Sequence, residues 1–348
     1  MHKLISLNEQ QIQEYLQSQK VVLLGYYNRN YRIEYNGVPY ILRIPIKNAT
    51  SMDMRFIAEE DILNFINDGN FNVNVPMVEM NETYNGQKYF LHSFIFGDTI
   101  EDIYPESEKM PDWIVESLAC IMTELHNIPL NKLGDFIVKM PWKINVGDFY
   151  DYIYEYNKSL IAKYQKDYKP IYDFFGMPDD INDFIRNRKN EIEDAPFVLA
   201  HSDIHRKNII IDRAAQNTAV IDWELTLVAP SFYDISIHLH KMRYEKEQEQ
   251  LFLNTICTLS ETDNDFARKQ IGLYRDIEEV KSVAIDIVRY LSIINEINEE
   301  QVISNAKRYF TKLAKAYICW GKNLETLNTK EMISFFIEKR RNDMNKKI

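Results

Sequence analysis

The sequence predicts an α+β fold: a small antiparallel sheet near the N-terminus and a larger, mainly helical remainder. Three observations carry this. Asn36-Gly37 and Asn85-Gly86 each join two runs rich in β-branched and aromatic residues, and Asn-Gly is the preferred pair for a two-residue type I′ hairpin turn. Between the two hairpins, apolar residues recur at helical spacing. After Gly97 that helical period dominates.

Taken in order, Ser6 and Glu9 have capping-box spacing ahead of Ile12, Tyr15 and Leu16, which predicts a short first helix. Residues 21–27, 31–35 and 38–44 read as three strands. Over residues 52–67, Phe56, Ile62, Leu63 and Ile66 form an apolar helical stripe. Glu59 lies on that stripe, and a charge placed there requires a buried partner. Residues 77–84 and 87–94 form the second hairpin, so the order is helix, three strands, helix, two strands, which suits one helix laid on a small sheet. Further on, residues 113–126, 149–161 and 280–294 are amphipathic helices. Residues 197–222 interrupt them with a short strand, a polar loop, a strand over 208–212, a turn at Gln216-Asn217 and a strand over 219–221. Residues 342–348 read as a frayed tail.

A chain of 348 residues, 45 % hydrophobic and 27 % charged, is long enough to bury about three quarters of its unfolded surface. Its formal charge of -11 is unevenly spread: the first 300 residues carry about -18 and the remainder +7. That body is unsuited to DNA or RNA and attracts cations. Cys120, Cys257 and Cys319 are far apart and in no metal-ligand spacing, which argues against a disulfide framework or zinc site and fits a reducing cytoplasm. Residues 1–20 are polar, and no apolar run approaches the roughly 20 residues of a membrane span, so no membrane partner is expected. No two of the ten glycines stand two apart, and Gly321-Lys322 is followed by Asn323. A G-x-G dinucleotide fingerprint and a Walker A loop are therefore both missing.

The densest chemistry lies in His201-Ser202-Asp203-Ile204-His205-Arg206-Lys207-Asn208, between apolar strands, and in Ile221-Asp222-Trp223-Glu224. A carboxylate able to accept a hydroxyl proton, with an Asn and a second Asp able to ligate a hard divalent cation, is what phosphoryl transfer requires. Read singly, Asp203 and Asn208 are ordinary turn and strand-start residues; together with Asp222 they point to function. His201 and His205 also suggest a metal-dependent phosphohydrolase, but no third His or thiolate sits at compatible spacing.

These two loops resemble the catalytic and metal-binding loops of the aminoglycoside phosphotransferase and choline kinase group, relatives of protein kinases. The resemblance runs from about Gly25 to Met242. Tyr27-Asn28-Arg29-Asn30-Tyr31-Arg32-Ile33 is similar to the group's nucleotide loop, Tyr40-Ile41-Leu42-Arg43-Ile44 to its third strand, and Ala58-Glu59-Glu60-Asp61-Ile62-Leu63 to the helix with the ion-pairing Glu. Leu125-His126-Asn127-Ile128-Pro129 resembles a helix end, and Pro230-Ser231-Phe232-Tyr233-Asp234 the helix start after the metal loop.

The resemblance implies a protein-kinase-like two-lobed fold, with a nucleotide-binding lobe over residues 1–94 and a catalytic, substrate-binding lobe over 95–348. It implies ATP or GTP with Mg2+ as cofactors, Asp203 as catalytic base or hydroxyl-orienting residue, and Asn208 and Asp222 as metal ligands. Arg43, oriented by Glu59, would grip the phosphates, with Lys47 as the alternative. Asn28 belongs to the nucleotide loop, and Ser93, Phe94 and Ile95 to the linker that reads the base. Arg43 departs from the Lys of protein kinases and differs from it in being planar and bidentate. Residues 25–31 hold one Gly where protein kinases have three, and Trp223-Glu224 replaces Phe-Gly. Arg206-Lys207 stands where many members have Pro-Gly, and one of these cations is a candidate for neutralising the transferred phosphate. Asp234 reads as a structural acceptor for the catalytic loop.

The implied reaction moves a γ-phosphoryl group to a hydroxyl of a small, cationic molecule, with an aminoglycoside-type antibiotic first in line. Asp148, Asp151 and Glu155, at i, i+3 and i+7, share one helix face and, with Glu224, are candidate substrate contacts. Asp276, Glu278, Glu279 and Asp286 add acidity, although a solvated acidic face reads equally well from the sequence. Tyr150, Tyr152 and Tyr154 keep choline open, since a quaternary ammonium favours an aromatic cage. Another small metabolite, or a non-catalytic kinase-like binding protein, remains an alternative.

Overall fold

The computed structural model describes residues 5–18, 21–24, 27–46, 54–69, 71–105 and 108–345. The chain divides into two compact units: Met1–Met140 with Pro196–Asn264, and Pro141–Ala195 with Asp265–Ile348.

The first unit opens with α1 (Glu9–Ser18) and continues with β1 (Val21–Leu24), β2 (Asn28–Tyr35), β3 (Val38–Pro45), α2 (Glu59–Asp68), β4 (Val78–Tyr84) and β5 (Gln87–Ser93). The five strands form one antiparallel sheet in the order β1-β2-β3-β5-β4. Both Asn-Gly pairs turn with positive φ at each residue (Asn36 53°, Gly37 77°; Asn85 49°, Gly86 73°), as a type I′ hairpin demands. Alternation along β3 sends Leu42 to one face, where it joins Ile5, Leu7, Ile12, Ile33 and Leu91 in a buried cluster. Arg43 emerges on the opposite face.

Three boundaries differ from the sequence expectation. The first helix is capped by Asn8, whose side chain accepts from the Gln11 amide at 2.9 Å while the Gln11 side chain accepts from the Asn8 amide at 2.9 Å. The capping box thus lies two residues beyond Ser6, because Ile5 and Leu7 are buried in an extended lead-in. The second helix starts only at Glu59; Phe56, which fed the helical period, lies ahead of it in non-helical chain, where Met54 and Ile57 are buried. Asn28, Arg29 and Asn30 are part of β2 rather than a loop, and Gly25 and Tyr26 fall outside the described residues.

Beyond β5 the chain turns at Gly97 (φ 136°), where a Cβ would stand 2.5 Å from the Ile211 carbonyl oxygen. There follow β6 (Asp98–Thr99), α3 (Ile100–Ile103), α4 (Asp112–His126) and α5 (Gly134–Ile137). The predicted lobe boundary at residue 94 thus falls within this unit, between β5 and β6. Returning from the second unit, the chain adds β7 (Phe197–Ala200), β8 (Ile209–Asp212), β9 (Asn217–Val220), β10 (Leu227–Pro230), α8 (Ser231–Met242) and α9 (Lys246–Leu259). β7 pairs with β10, and β8 lies between β6 and β9. Every residue of β7 and β10 is buried, as is much of α4 and α8, so the polar loops between these strands rest on a rigid apolar base.

The second unit is helical. It comprises α6 (Val146–Phe174), α7 (Asp183–Asn187), α10 (Asn264–Ser292), α11 (Glu299–Cys319) and α12 (Thr329–Asn345), around a core that includes Val280, Val283, Ile287, Tyr309 and Leu313. The stretches predicted as helix at 149–161 and 280–294 are parts of two helices of 29 residues each. α12, anchored by the buried Met332 and Phe336, continues to Asn345, and residues 346–348 of the predicted tail lie outside the described residues. Among the described residues, no helix is long and apolar enough to cross a membrane.

Candidate active site

The loop from β7 to β8 is held open by its own backbone and by α8. Ser202 adopts a positive φ of 61°, which aims its amide at Asp234 Oδ1, 2.8 Å away. The other Asp234 oxygen meets His126 Nε2 at 2.9 Å, so this buried carboxylate serves as a structural acceptor, in the manner its sequence position implies. Burial pushes the Asp234 carboxyl up, but the hydrogen bond and charge of His126 prevail and hold it below the usual range. His201 is fully buried; its Nδ1 accepts from the Asp203 amide at 3.2 Å, which leaves Nε2 to donate to the Ile221 carbonyl at 3.3 Å. Its ring packs on Trp223, and burial lowers its pKa. His201 is therefore a neutral strut between the two loops and has no nitrogen left for a metal.

Asp203 stands at the centre. Its Oδ2 accepts from Asn208 Nδ2 at 3.0 Å, its Oδ1 accepts from Lys241 Nζ, and His205 Nε2 lies 3.6 Å from Oδ1. Burial alone would raise this carboxyl; the Lys241 charge and then the His205 charge outweigh it and hold it below the ordinary carboxylate value. Asn208 Nδ2 also donates to the Asp203 carbonyl at 3.0 Å. With its amide nitrogen committed, Asn208 presents a carbonyl oxygen as its remaining polar atom.

The second loop is held by the sheet. Asp222 takes a left-handed conformation (φ 67°) ahead of a short 3₁₀ turn, Trp223–Leu225. Arg43 Nη1 donates to Glu59 Oε1 at 2.7 Å and Nη2 to Asp222 Oδ1 at 2.7 Å, with Glu224 Oε2 at 3.5 Å. The Trp223 amide donates to Glu59 Oε1 at 3.1 Å, and Asn28 Nδ2 to Glu224 Oε2 at 2.6 Å. The Arg43 guanidinium thus meets three carboxylates, and Arg55 adds a second positive charge near Glu224. Burial, only partly offset by Arg43, pushes Glu59 up to about 7. Burial and the neighbouring Asp222 charge push Glu224 up to about 8. Arg43 itself is driven upward, because Glu59, Asp222 and Glu224 together outweigh the effect of its burial.

The linker residues divide. Ser93 is engaged with β4's lead-in: its Oγ accepts from the Met77 amide at 2.9 Å. Phe94 and Ile95, with Phe96, line a cavity of about 220 Å³ whose other wall includes Ile210 and Ala219 from β8 and β9. Lys47 lies outside the described residues.

Other expectations are changed by the structure. Arg206 is buried and donates to the carbonyls of Tyr104 (2.6 Å) and Met242 (3.2 Å), so it anchors the loop instead of facing a phosphate. Asp148, Asp151 and Glu155 do share the start of α6, in the second unit, but Asp151 already holds Lys189 Nζ at 2.6 Å through both oxygens. Asp276, Glu278, Glu279 and Asp286 are paired with Arg188, Lys281, Lys315 and Lys312, and for the buried Glu278 and Glu279 such a partner is required. Tyr150 and Tyr154 are core residues; Tyr152 instead stacks on Tyr156 and lies tilted against Trp142. Sequence reasoning missed Lys241. Its only signal was its place seven residues after Asp234, on the same face of α8.

Residues 18–269 match the model of the phosphotransferase enzyme family, APH. Comparison with curated proteins gives no match. Among solved structures, the chain is similar to the GDP complex of aminoglycoside 2'-phosphotransferase-IIIa, with 14 % identity, a TM-score of 0.58, and coverage of 88 % of this chain and 99 % of that one. The gentamicin complex of APH(2")-IIa gives 16 % identity and a TM-score of 0.56, over 95 % and 99 % of the two chains. A Plasmodium vivax ethanolamine kinase gives 16 % identity and a TM-score of 0.55, over 81 % and 83 %.

Proposed function

Because the chain belongs to the APH phosphotransferase enzyme family, we propose that it transfers the γ-phosphoryl group of ATP or GTP to a hydroxyl of a small, cationic acceptor, most nearly an aminoglycoside. The observation that carries this reading is the convergence of Asp203, Asn208 and Asp222 on one strand-framed site with the Arg43–Glu59 pair. The nucleotide-binding lobe of this reading spans residues 1–94 and the catalytic lobe 95–348.

In this reading Asp203, kept ionised by its neighbours, accepts the hydrogen bond of the acceptor hydroxyl and takes its proton as the new bond forms. Asn208 is restrained through Nδ2, so its amide oxygen is available to a hard cation, and Asp222 keeps one carboxylate oxygen outside its ion pair with Arg43. That donor set, beside carboxylates in excess over positive charge, fits Mg2+, which when bound offsets phosphate charge. Arg43 is rigidly presented by Glu59 to grip the α and β phosphates. Phe94 and Ile95 border the cavity assigned to the base, with Ser93 fixing the linker to the sheet and Asn28 bracing the loop of Glu224. Positioning and electrostatics supply most of the rate. A cytoplasmic location, with its supply of nucleotide, belongs to the same reading.

The charge of about -18 over the first 300 residues supports a cationic acceptor. Glu224, beside Asp222, is the carboxylate proposed to meet it; Asp148 and Glu155, at the start of α6, are a separate proposal of the same kind, and Asp151 joins those two only by exchanging Lys189. A second reading, choline or ethanolamine as acceptor, is favoured by the Trp142–Tyr152–Tyr156 cluster, a surface suited to an ammonium group. The test is a screen of aminoglycosides, choline, ethanolamine and related amino alcohols with ATP and with GTP, products being read by mass spectrometry. A phosphorylated product absent from an Asp203→Ala control supports the reading. Nucleotide binding without any product across the panel would point instead to a non-catalytic binding protein.

A further inference from the structure

We propose that Lys241 is a catalytic residue of this site, holding an oxygen of the γ-phosphoryl group during transfer; the assignment rests on the phosphotransferase reading. Lys241 Nζ donates to Asp203 Oδ1 and lies 3.5 Å from the Ser202 carbonyl. An ammonium has three donors, and among the described residues these two acceptors are the ones within hydrogen-bond reach. The side chain is 31 % exposed, which leaves the third N–H open to a ligand.

The position is dictated by α8. Asp234, His238 and Lys241 fall at i, i+4 and i+7, on one face of the helix, and each meets the loop in turn: Asp234 at the Ser202 amide, His238 at the Ile204 carbonyl (3.1 Å) and Lys241 at the Asp203 side chain. The Lys241 ammonium is thus as firmly placed as the carboxylate it touches. Of the other cations near the loop, Lys207 is exposed and makes no contact with Asp203, and two are committed elsewhere. Arg206 is buried on backbone carbonyls, and Arg43 lies against Glu59 and Asp222.

The need for such a cation follows from the chemistry. As transfer proceeds, the acceptor oxygen forms a bond to γ-phosphorus, the bond from γ-phosphorus to the bridging oxygen breaks, and its electron pair leaves with the nucleoside diphosphate. The hydroxyl proton passes to Asp203 and then to solvent. Asp203 must therefore stand close to the anionic γ-phosphoryl oxygens, which its carboxylate repels. Lys241, bonded to that carboxylate and keeping its own proton throughout, bridges the two anions and offsets the repulsion.

The test uses isothermal titration of the full chain with Mg2+ and either ADP or the non-hydrolysable analogue AMP-PNP, so it needs no knowledge of the acceptor. Removing the charge with Lys241→Met should weaken AMP-PNP by about tenfold or more while leaving ADP affinity unchanged. Lys241→Gln, which still bonds Asp203, should show the same selective loss, and Lys241→Arg should restore AMP-PNP binding. Thermal denaturation of each variant identifies the folded ones. Native protein that binds both nucleotides, with folded variants that weaken both equally or neither, overturns the Lys241 assignment alone. Native protein that binds neither nucleotide overturns the phosphotransferase reading and this inference with it.

Discussion

Asn28 and Glu224 stand 196 positions apart, yet Asn28 Nδ2 donates to Glu224 Oε2 at 2.6 Å. The bond ties the start of β2 to the turn that follows Asp222 and places Glu224 within 3.5 Å of Arg43. Glu224 is therefore largely buried, with the Asn28 amide as donor, the Arg43 and Arg55 charges near it and Asp222 as an anionic neighbour. Burial and the Asp222 charge push its carboxyl up.

Stability without nucleotide is expected to depend on pH in part through this cluster. Glu224 is raised to about 8 and Glu59 to about 7, each chiefly by burial, from an ordinary value of 4.5. A carboxyl that binds its proton more tightly when folded stabilises the fold fully below its unfolded pKa, and that stabilisation is lost as pH rises through the folded pKa. The contribution of this cluster should thus fall between pH 5 and pH 8, against an opposite, rising contribution up to about pH 6.5 from His92, His201, His205 and His238, whose pKa values burial lowers. Glu224→Gln, neutral at every pH, should flatten the fall near its upper end. A Glu224→Gln midpoint that runs parallel to the native one from pH 5 to pH 8 would contradict the assignment of charge to the cluster.

The buried acceptor Asp234 offers a sharper perturbation. Asp234→Ala removes the partner of both the Ser202 amide and His126. Each buried polar group left unpaired costs about 1–3 kcal/mol, so a loss of about 3 kcal/mol should be read from urea denaturation. Turnover should fall as well, because Ser202 is held at positive φ immediately before Asp203. A variant with native stability and native turnover would show that the loop keeps its shape without this helix.

Gly97 is constrained by its surroundings as well as by its φ of 136°. A Cβ here would meet the Ile211 carbonyl oxygen at 2.5 Å and Ile210 Cγ2 at 2.8 Å. The carbonyl is backbone and belongs to β8, which pairs with β6 beside this glycine, so it cannot rotate away as a side chain would. Gly97→Ala should destabilise the protein by about 1–3 kcal/mol, seen as a lower urea midpoint. Gly37→Ala, at a turn with open space around it, isolates the conformational part of that cost.

Much of this architecture was legible because it is local. The two Asn-Gly hairpins are encoded in adjacent residues, and the charge of Glu59 on an apolar stripe announced a buried partner, which Arg43 provides. What escaped was non-local or compensated. Helix α1 is capped at Asn8 because tertiary burial of Leu7 decides where the chain can begin to turn. The acidity of α10 looked available to a ligand, yet Glu278, Glu279 and Asp286 are matched by lysines three to 36 positions away. Lys241 lies 38 positions from Asp203, and a lysine near the end of a helix carries no local mark of its partner. Sequence spacing reports which face a residue shares, but the occupant opposite that face is set by topology.

Asp203→Ala separates binding from chemistry at this site. The substitution removes the carboxylate that would take the acceptor proton, and general-base catalysis contributes about 10²–10⁴-fold, so turnover of any acceptor found by the screen should fall at least a hundredfold. Nucleotide affinity should persist, since Arg43, Glu59 and Asp222 form their ion-pair cluster without Asp203. Asp203→Asn is the control for shape: its amide retains an oxygen for Asn208 Nδ2 but cannot take a proton, and it loses the charge that holds Lys241. Both variants should therefore be similarly slow. Asp203→Asn with near-native turnover would assign the residue to orientation alone, and Asp203→Ala with near-native turnover would remove it from the chemistry altogether.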